Sequence, residues 1–597
     1  MKQKKRSEIE VKDTWDLTPI FESDEDFNKE LELFNKEKDK ILDFKGKLLS
    51  SAKTLYEFLE LSDNLERRLY KLYYYAHLNY DVDTTNSKSL ERVEKVSRLM
   101  TEYSSMNSFI GPELLKGDYN LVLKYIKEDK RLEKYRFNFE DIYRFKKHTL
   151  SEKEERILSI LGVSLGASSS IYETLTDSDL TFGYITVDGK RYEFTESNYS
   201  TFIESPDRNT RKKAFNREFK TYEKYSHTFA DTFRYNMETN SKLAMLKDFK
   251  SSIEASLYND NINVSVYDNL IKTVRNNLNV LYDYYDLKRE VLNLPNLHLY
   301  DIYANMVNEV DKKYTFEEAK NIVLDGLKVL GEDYQKKLNK AFDNRYIDIY
   351  NNKGKRGGAY SSGFYDTNPY ILLNFEGKYG DVTTLAHELG HSMHTLYSCE
   401  NNPYNTSSYQ IFVAEVASTV NELILIKYLI KKTNDKKEKL YLLNKLLELF
   451  KGTIFRQTMF AEFEKNMAED HEKGIVLTNE YLKEKYYKLV KDYFGKNVVC
   501  DKLIENEWMR IPHFYYNFYV YKYAIGLSAA CKIVNNIEKY GDKGIEKYLN
   551  FLKTGGSMYP KDELLVCDVD INNSEFIEDA IKFFKDTIEE FRKIYRK

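Results

Sequence analysis

Three of the chain's nine histidines, His387, His391 and His394, fall within eight positions of one another in the stretch "GDVTTLAHELGHSMHTLYS". Histidines at i and i+4 stand one turn apart on one helix face, where their ring nitrogens can reach a common ion about 2 Å away. His387 and His391 have that spacing and read as a zinc-binding pair. Zinc used for catalysis takes three protein ligands and keeps one position open for water. In the arrangement H-E-x-x-H-x-x-G-x-x-H a third histidine would fall at 397, but that residue is Tyr397, and His394 stands where the glycine belongs. A carboxylate from a following helix is the better candidate. The stretch "FVAEVASTVNELIL" supplies one in Glu415, which follows His391 by 24 residues, enough chain for a turn and an antiparallel return. Glu415 is the preferred third ligand, and Glu422, or Ser418 and Thr419, are available to orient a histidine from behind. His394, one turn past His391, is the competing ligand, with a supporting or polar-face role as its plainer reading.

Two amphipathic helices must position these groups. In the first, Asp381 or Thr383 is a candidate cap, and Val382, Leu385, Leu389, Met393 and Leu396 form one apolar stripe, with the three histidines almost opposite it. The stripe docks into the core while the histidines face something else. In the second, Val413, Val416, Ala417, Val420 and Ile424 make the apolar side, and Glu415, Ser418, Thr419 and Glu422 the other. The extended segment "GGAYSSGFYDTNPYILLNFEGKYGD" leads directly into the first helix, and its strand "NPYILLNF" is expected to have an exposed edge. The piece "KGKRGGAYSSG" lacks the spacing of a phosphate loop and reads as a flexible connection.

Elsewhere the pattern is helical. Residues 23 to about 180 alternate apolar and charged positions at helical spacing and predict a stack of antiparallel helices. A hairpin is expected at "LTFGYITVDGKRYEF", around Asp188 and Gly189. Helical pattern resumes at "SPDRNTRKKAFNREF" and closes the chain with "SEFIEDAIKFFKDTIEEFRKIYRK". A soft boundary near residue 200 divides an N-terminal helical lobe, 1–200, from a catalytic domain, 201–597.

Composition narrows the functions. With 91 basic and 95 acidic residues the formal charge is −4, so no overall field draws the chain onto nucleic acid or an anionic membrane. No run of apolar residues is long enough to cross a bilayer, and the basic start "MKQKKRSEIEVKDTWDL" has no apolar stretch behind it. Cys399, Cys500, Cys531 and Cys567 are too scattered for a thiolate metal site or a disulfide framework. A cytoplasmic enzyme is expected.

With these residues in place, the chain resembles a known family. "HELGHSMH" followed by "FVAEVAS", with "WDLTPIF", "GGAYSSGFYDTNPYILLNF" and "IPHFYYNFYVYKYAIG", is similar to the thimet-oligopeptidase class of zinc peptidases, in its bacterial oligoendopeptidase F branch. The resemblance implies a mostly α, two-lobed metallopeptidase with a deep cleft and a small β-sheet beside the zinc-binding helix. It implies one zinc per chain on His387, His391 and Glu415, and Glu388 as the catalytic base. It also implies oxyanion donors after Pro512: His513 with Tyr516 and Tyr523, which at i and i+7 would share a helix face, although Tyr519 competes with Tyr516 for the first tyrosine's role. Short peptides are the expected substrates, cut at internal bonds. A carboxypeptidase of similar fold would need a cation for the substrate's terminal carboxylate, for which Arg356 and Arg510 are candidates. A silent helical peptide-binding protein is the rival of a different class, and intact His387, Glu388, His391 and Glu415 argue against it. Cleavage-site preference and oligomeric state are encoded by no motif.

Overall fold

The structure is a computed structural model describing residues 3–308 and 312–597. It is mostly α-helical, with three small sheets. The chain forms two compact units, each gathered from separate segments: Met1–Lys147, Lys312–Tyr428 and Ile533–Asp568 make the first, and His148–Asp311, Leu429–Lys532 and Val569–Lys597 the second.

In the first unit the long helix Ala52–Asp81 starts at Ser51, whose hydroxyl accepts from the Thr54 amide. It buries Leu55, Phe58, Leu65, Leu69 and Leu72 at helical spacing and packs on the helix Ser87–Met106. Trp15 of the "WDL" stretch joins this core, edge-on to Tyr370 with ring centroids 6.0 Å apart. The Tyr370 hydroxyl donates to the Asp16 carbonyl at 2.8 Å, tying the N-terminal stretch to the sheet.

That sheet has three strands. Tyr370–Leu372 runs in the middle, parallel to Ile347–Asp348 and antiparallel to Tyr360–Ser362. The segment "NPYILLNF" therefore offers no free edge, contrary to expectation. Its unbroken apolar run Tyr370, Ile371, Leu372 is buried, as a strand covered on every side requires. The outer strands are instead Ile347–Asp348 and Tyr360–Ser362. The glycine-rich connection before the latter is held rather than loose: Lys355 donates to the Tyr350 carbonyl at 2.8 Å and pairs with the buried Asp348 carboxylate at 2.7 Å, and the Arg356 amide donates to the Asp81 carbonyl at 2.8 Å.

The sheet lies against the helix Tyr379–Asn401, here the histidine helix. It begins before either expected cap. Asp381 sits at its third position, where its carboxylate accepts from the Lys378 amide at 2.8 Å and the Glu376 amide at 2.9 Å. Thr383 uses its hydroxyl as a donor to the Gly380 carbonyl, at 2.9 Å. Val382, Leu385, Leu389, Met393 and Leu396 are all buried, as the stripe predicts. The helix Ile411–Lys432, here the carboxylate helix, buries Val413, Val416, Ala417, Val420 and Ile424.

These two helices touch backbone to backbone at Gly390. A β-carbon there would lie 2.6 Å from the Ser418 Cα, 2.8 Å from the Ala417 carbonyl oxygen and 2.9 Å from the Ser418 nitrogen. Beside this contact the buried Asn421 side chain donates to the Ala386 carbonyl at 3.0 Å and accepts from the Tyr334 hydroxyl at 2.8 Å, which fixes the register of one helix on the other.

The second unit carries the expected hairpin, Tyr184–Val187 against Lys190–Glu193, with Asp188 and Gly189 at φ 48° and 76° in its turn. The helix Arg208–Glu223 starts at Asp207, whose carboxylate accepts from the Asn209 and Thr210 amides. The final helix Glu575–Tyr595 buries Phe576, Ile577, Ala580, Ile581, Phe584, Ile588 and Phe591 as one stripe. None of the four cysteines is in a disulfide. No helix among the described residues is long and apolar enough to cross a membrane.

Glycine and alanine differ by about 1 kcal/mol in helix propensity, in alanine's favour. At Gly380, where nothing lies within 4 Å of an added β-carbon, Gly380→Ala is expected to leave stability equal or raised. Gly390→Ala should instead cost about 1–3 kcal/mol through overpacking against a backbone that cannot turn aside. Chemical unfolding of the two variants checks this, and equal stabilities would refute the close approach.

Candidate metal centre

The contact at Gly390 brings three donor atoms together. The Nε2 atoms of His387 and His391 are 3.2 Å apart, and Glu415 Oε2 lies 3.4 Å from the first and 3.7 Å from the second. Three donors bonded to one tetrahedral zinc at about 2.0–2.1 Å stand about 3.3 Å from one another. The cluster matches that spacing, and its two imidazoles and one carboxylate are a donor set that zinc favours. Among the described residues it is the one group of at least three histidine, cysteine or acidic side chains close enough to hold an ion.

Each donor is aimed from behind. His387 Nδ1 hydrogen-bonds the Glu422 carboxylate, one turn above Ser418 on the carboxylate helix. His391 hydrogen-bonds the Ala414 carbonyl. Ser418 donates to Glu415 Oε2 at 3.2 Å. Thus Glu422 takes the orienting role anticipated for it, and Ser418 serves the carboxylate rather than a histidine.

Electrostatics set the protonation states of the metal-free site. Burial works against charge on His387, but the hydrogen bond and charge of Glu422, with Glu388 and Glu415 adding, push it up to about 8. Burial and the neighbouring His387 hold His391 down to about 4. Glu388 is buried beside the cluster. Burial pushes its carboxyl up to about 7, with Glu415 and Glu422 adding to the rise, against the opposing charge of His387 and a hydrogen bond from the Ser361 amide of the edge strand. A carboxyl poised near neutrality can both take and return a proton. The Ser361 hydroxyl meets Ser392 on the next turn of the histidine helix at 2.8 Å.

His394 is neither a ligand nor on a polar face. It is fully buried, its ring stacked on Tyr409 at 3.6 Å and 5°, and burial holds it neutral. Tyr409 stands just before the carboxylate helix and shares its hydroxyl with Thr395 at 3.1 Å. The stack packs the returning chain onto the histidine helix.

The second set of candidate residues belongs to the second unit. The Tyr523 hydroxyl lies 3.3 Å from His513 Nε2, and burial lowers the pKa of His513, favouring the neutral ring. The helix here starts only at Tyr521. Tyr516 and Tyr523 therefore do not share a helix face, because Asn517 and Phe518 take φ of 53° and 59° and turn the chain between them. Tyr516 is 51% exposed. Tyr519 packs near both partners, with its ring 6.3 Å from that of His513 and 5.4 Å from that of Tyr523.

Of the two arginines considered as carboxylate anchors, Arg510 is engaged by Glu196, and by Glu218 at 3.3 Å, and its guanidinium covers the Tyr199 ring at 4.8 Å. Arg356 pairs with Asp81 at 3.3 Å, with its side chain 54% exposed. Sequence reasoning missed Gly390, Asn421 and Ser361. A glycine inside an otherwise helical pattern was the one signal for the first of them.

Residues 201–583 match the family described as "Peptidase family M3", and residues 113–182 the one described as "Oligopeptidase F". Oligopeptidase PepF of Bacillus subtilis is 43% identical over 99% of this chain and 88% of its own length. Group B oligopeptidase PepB of Streptococcus agalactiae is 38% identical over 99% of this chain and 98% of its own. The crystal structure of oligoendopeptidase-F from Enterococcus faecium superimposes with a TM-score of 0.75 at 32% identity, covering 96% of this chain and 99% of that one. The fold, the His387, His391 and Glu415 cluster and these relatives agree, and the chain belongs to peptidase family M3 as a metalloendopeptidase.

Proposed function

We propose that the protein is a zinc-dependent oligoendopeptidase that hydrolyses internal bonds of short, unstructured peptides, and that it works in the cytoplasm, where its cysteines are kept reduced. The observation that carries the zinc is the donor triangle of 3.2, 3.4 and 3.7 Å. His387, His391 and Glu415 would hold one ion per chain. A zinc ion bound there supplies Lewis acidity toward a peptide carbonyl and toward water.

The protein's own residues do the rest. Glu388 accepts the proton of the attacking water and delivers it to the leaving nitrogen, two transfers for which a carboxyl raised toward neutrality is suited. Glu422 holds His387 in the tautomer that leaves Nε2 free to bind. His513 and Tyr523, with Tyr516 or Tyr519 beside them, donate to the oxygen that gains charge as the carbonyl becomes tetrahedral. The family resemblance supports this role, as do the 3.3 Å pairing of Tyr523 with His513 and the neutral state of that ring. The strand Tyr360–Ser362, paired on one side only and adjoining Glu388, is suited to bind an extended peptide through main-chain hydrogen bonds.

The purified protein is expected to bind about one zinc per chain. Alanine at His387, His391 or Glu415 should remove metal and turnover together. Glu388→Gln should keep the metal and lose ~10²–10⁴ in kcat. Metal analysis paired with a fluorogenic peptide assay decides the matter, and turnover within tenfold of wild type in Glu388→Gln would refute the base.

In the metal-free protein zinc and a proton compete for His387. Its raised pKa of about 8 keeps it protonated below that pH. Zinc affinity should therefore rise about tenfold per pH unit toward pH 8 and level off above it. Glu422→Gln removes the carboxylate that retains the proton, so the levelling point moves to lower pH. Chelator competition between pH 6 and 9 measures both curves.

An edge strand can pair only with a chain free to extend, and a folded protein must first unfold locally to provide one. One cleavable sequence, offered as a free peptide and inside a loop of a stable folded domain, should be cut at least ~100-fold faster in the free form, since local opening costing about 3 kcal/mol leaves under one molecule in a hundred open. Equal rates would refute selection for unstructured chains.

A further inference from the structure

The turn between His513 and Tyr523 is built on an unusual peptide. Asn517 and Phe518 are consecutive non-glycine residues in the left-handed region, at φ 53° and 59°. Such a pair carries backbone strain and persists only where its surroundings enforce it. The enforcement here falls on the one peptide plane that joins them. At one end the Ser256 hydroxyl donates to the Asn517 carbonyl at 2.6 Å. At the other, the Phe518 amide donates to Glu464 Oε1 at 2.6 Å. Both partners come from outside the turn, from the helices Ser252–Tyr258 and Gln457–Glu472. The Phe518 ring is buried edge-on to Tyr267, and Asn236 holds the Phe514 carbonyl at 3.1 Å.

Glu464 is fully buried, and its second oxygen has no partner among the described residues. A buried carboxyl so poorly satisfied is costly to the fold, and the bond it does make is to this one amide. Burial pushes the carboxyl up to about 8, with the Phe518 bond opposing, so that near neutrality it is mainly uncharged and a glutamine imitates it.

We propose that Glu464 and Ser256 are positioning residues that clamp the Asn517–Phe518 peptide at both ends and so set the pairing of His513 with Tyr523 for reaction. The proposal rests on the reading that His513 and Tyr523 act on the transition state. Release of that peptide would let Asn517 and Phe518 leave the left-handed region, which re-aims the chain between the two residues and shifts the hydroxyl of Tyr523 relative to His513.

The test uses the zinc-loaded full chain and an internally quenched peptide. Glu464→Leu keeps the volume and removes the acceptor. It should lower kcat at least ~10-fold with KM within about twofold and zinc content unchanged, as expected for a lost interaction that serves the transition state alone. Glu464→Gln should restore at least half of wild-type kcat. Asn517→Gly placed on Glu464→Leu should also recover part of kcat, because glycine adopts the left-handed region without strain. Combined with Tyr523→Phe, the Glu464→Leu loss should largely vanish, since both act on one group. Should Glu464→Leu fail to fold, Ser256→Ala, at a half-exposed position, should give the same loss in kcat with the same insensitivity in the Tyr523→Phe background. Wild-type kcat in Glu464→Leu, or in Ser256→Ala when that is the variant tested, overturns the clamp. So do losses that multiply with that of Tyr523→Phe. If Tyr523→Phe alone keeps full kcat, the functional reading of Tyr523 falls instead, whatever Glu464 does.

Discussion

Everything at the candidate metal centre depends on how closely two helix backbones approach. The histidine helix and the carboxylate helix meet where Gly390 lies against the main chain of Ala417 and Ser418. A side chain there would act as a spacer and lengthen the two distances that cross the contact, from Glu415 to His387 and from Glu415 to His391. The hydrogen bond from Asn421 to the Ala386 carbonyl then fixes sliding and rotation. Distance is thus set by an absent atom and register by a buried amide. Both are properties of the packed interior, and they bring the backbone that carries Glu415 within reach of the two histidines.

Charge is distributed unevenly across the molecule. Several acids elsewhere are matched by bases: Asp348 by Arg6 and Lys355, Glu448 by Lys288 and Lys451, Glu462 by Arg275. Around His387 three carboxylates, Glu388, Glu415 and Glu422, converge on two imidazoles with no lysine or arginine among the ion pairs they form. The raised pKa of His387 is the response of such a site to its own excess of negative charge, while Glu388 rises first because it is buried, with Glu415 and Glu422 adding to the rise. A divalent cation removes that excess, and its presence would leave Glu388 with less reason to hold a proton until substrate water provides one.

The candidate metal ligands were legible in sequence because they obey a local rule. The spacing of His387 and His391 needs only helical geometry, and Glu415 follows within one helix–turn–helix return. Features that depend on partners distant in the chain were not legible. Helical periodicity suggested that Tyr516 and Tyr523 share a face, but Glu464 and Ser256 hold the intervening peptide in a left-handed turn that no local propensity favours. His394 looked polar by residue type, and its burial follows from Tyr409 stacking back on it after a loop. The free edge assigned to "NPYILLNF" went to the outer strands Ile347–Asp348 and Tyr360–Ser362 because each pairs with it from one side. The helix start was misplaced for a smaller reason. Asp381 accepts the amides of Lys378 and Glu376 from within the first turn, as an acidic residue at the third position does as readily as one at the cap.

The way the chain is shared between its two compact units bears on its synthesis. The first unit includes Met1–Lys147 but also Ile533–Asp568, and the histidine helix packs on the helix Asp542–Lys553 from that last segment. At ~5–20 residues per second, the ribosome delivers this segment about 20–80 s after residue 147 has been made. Through that interval the apolar stripes of the early helices exist without their full complement of partners. The pair His387 and His391 emerges on a helix whose packing surface is still incomplete. Helix capping at Ser51 and Asn86 and the local pairing of Ala52–Asp81 with Ser87–Met106 give the nascent N-terminal segment its own short-range order. Final closure of the unit waits for Ile533–Asp568 to be made, so a product truncated before that segment cannot assemble this unit in full.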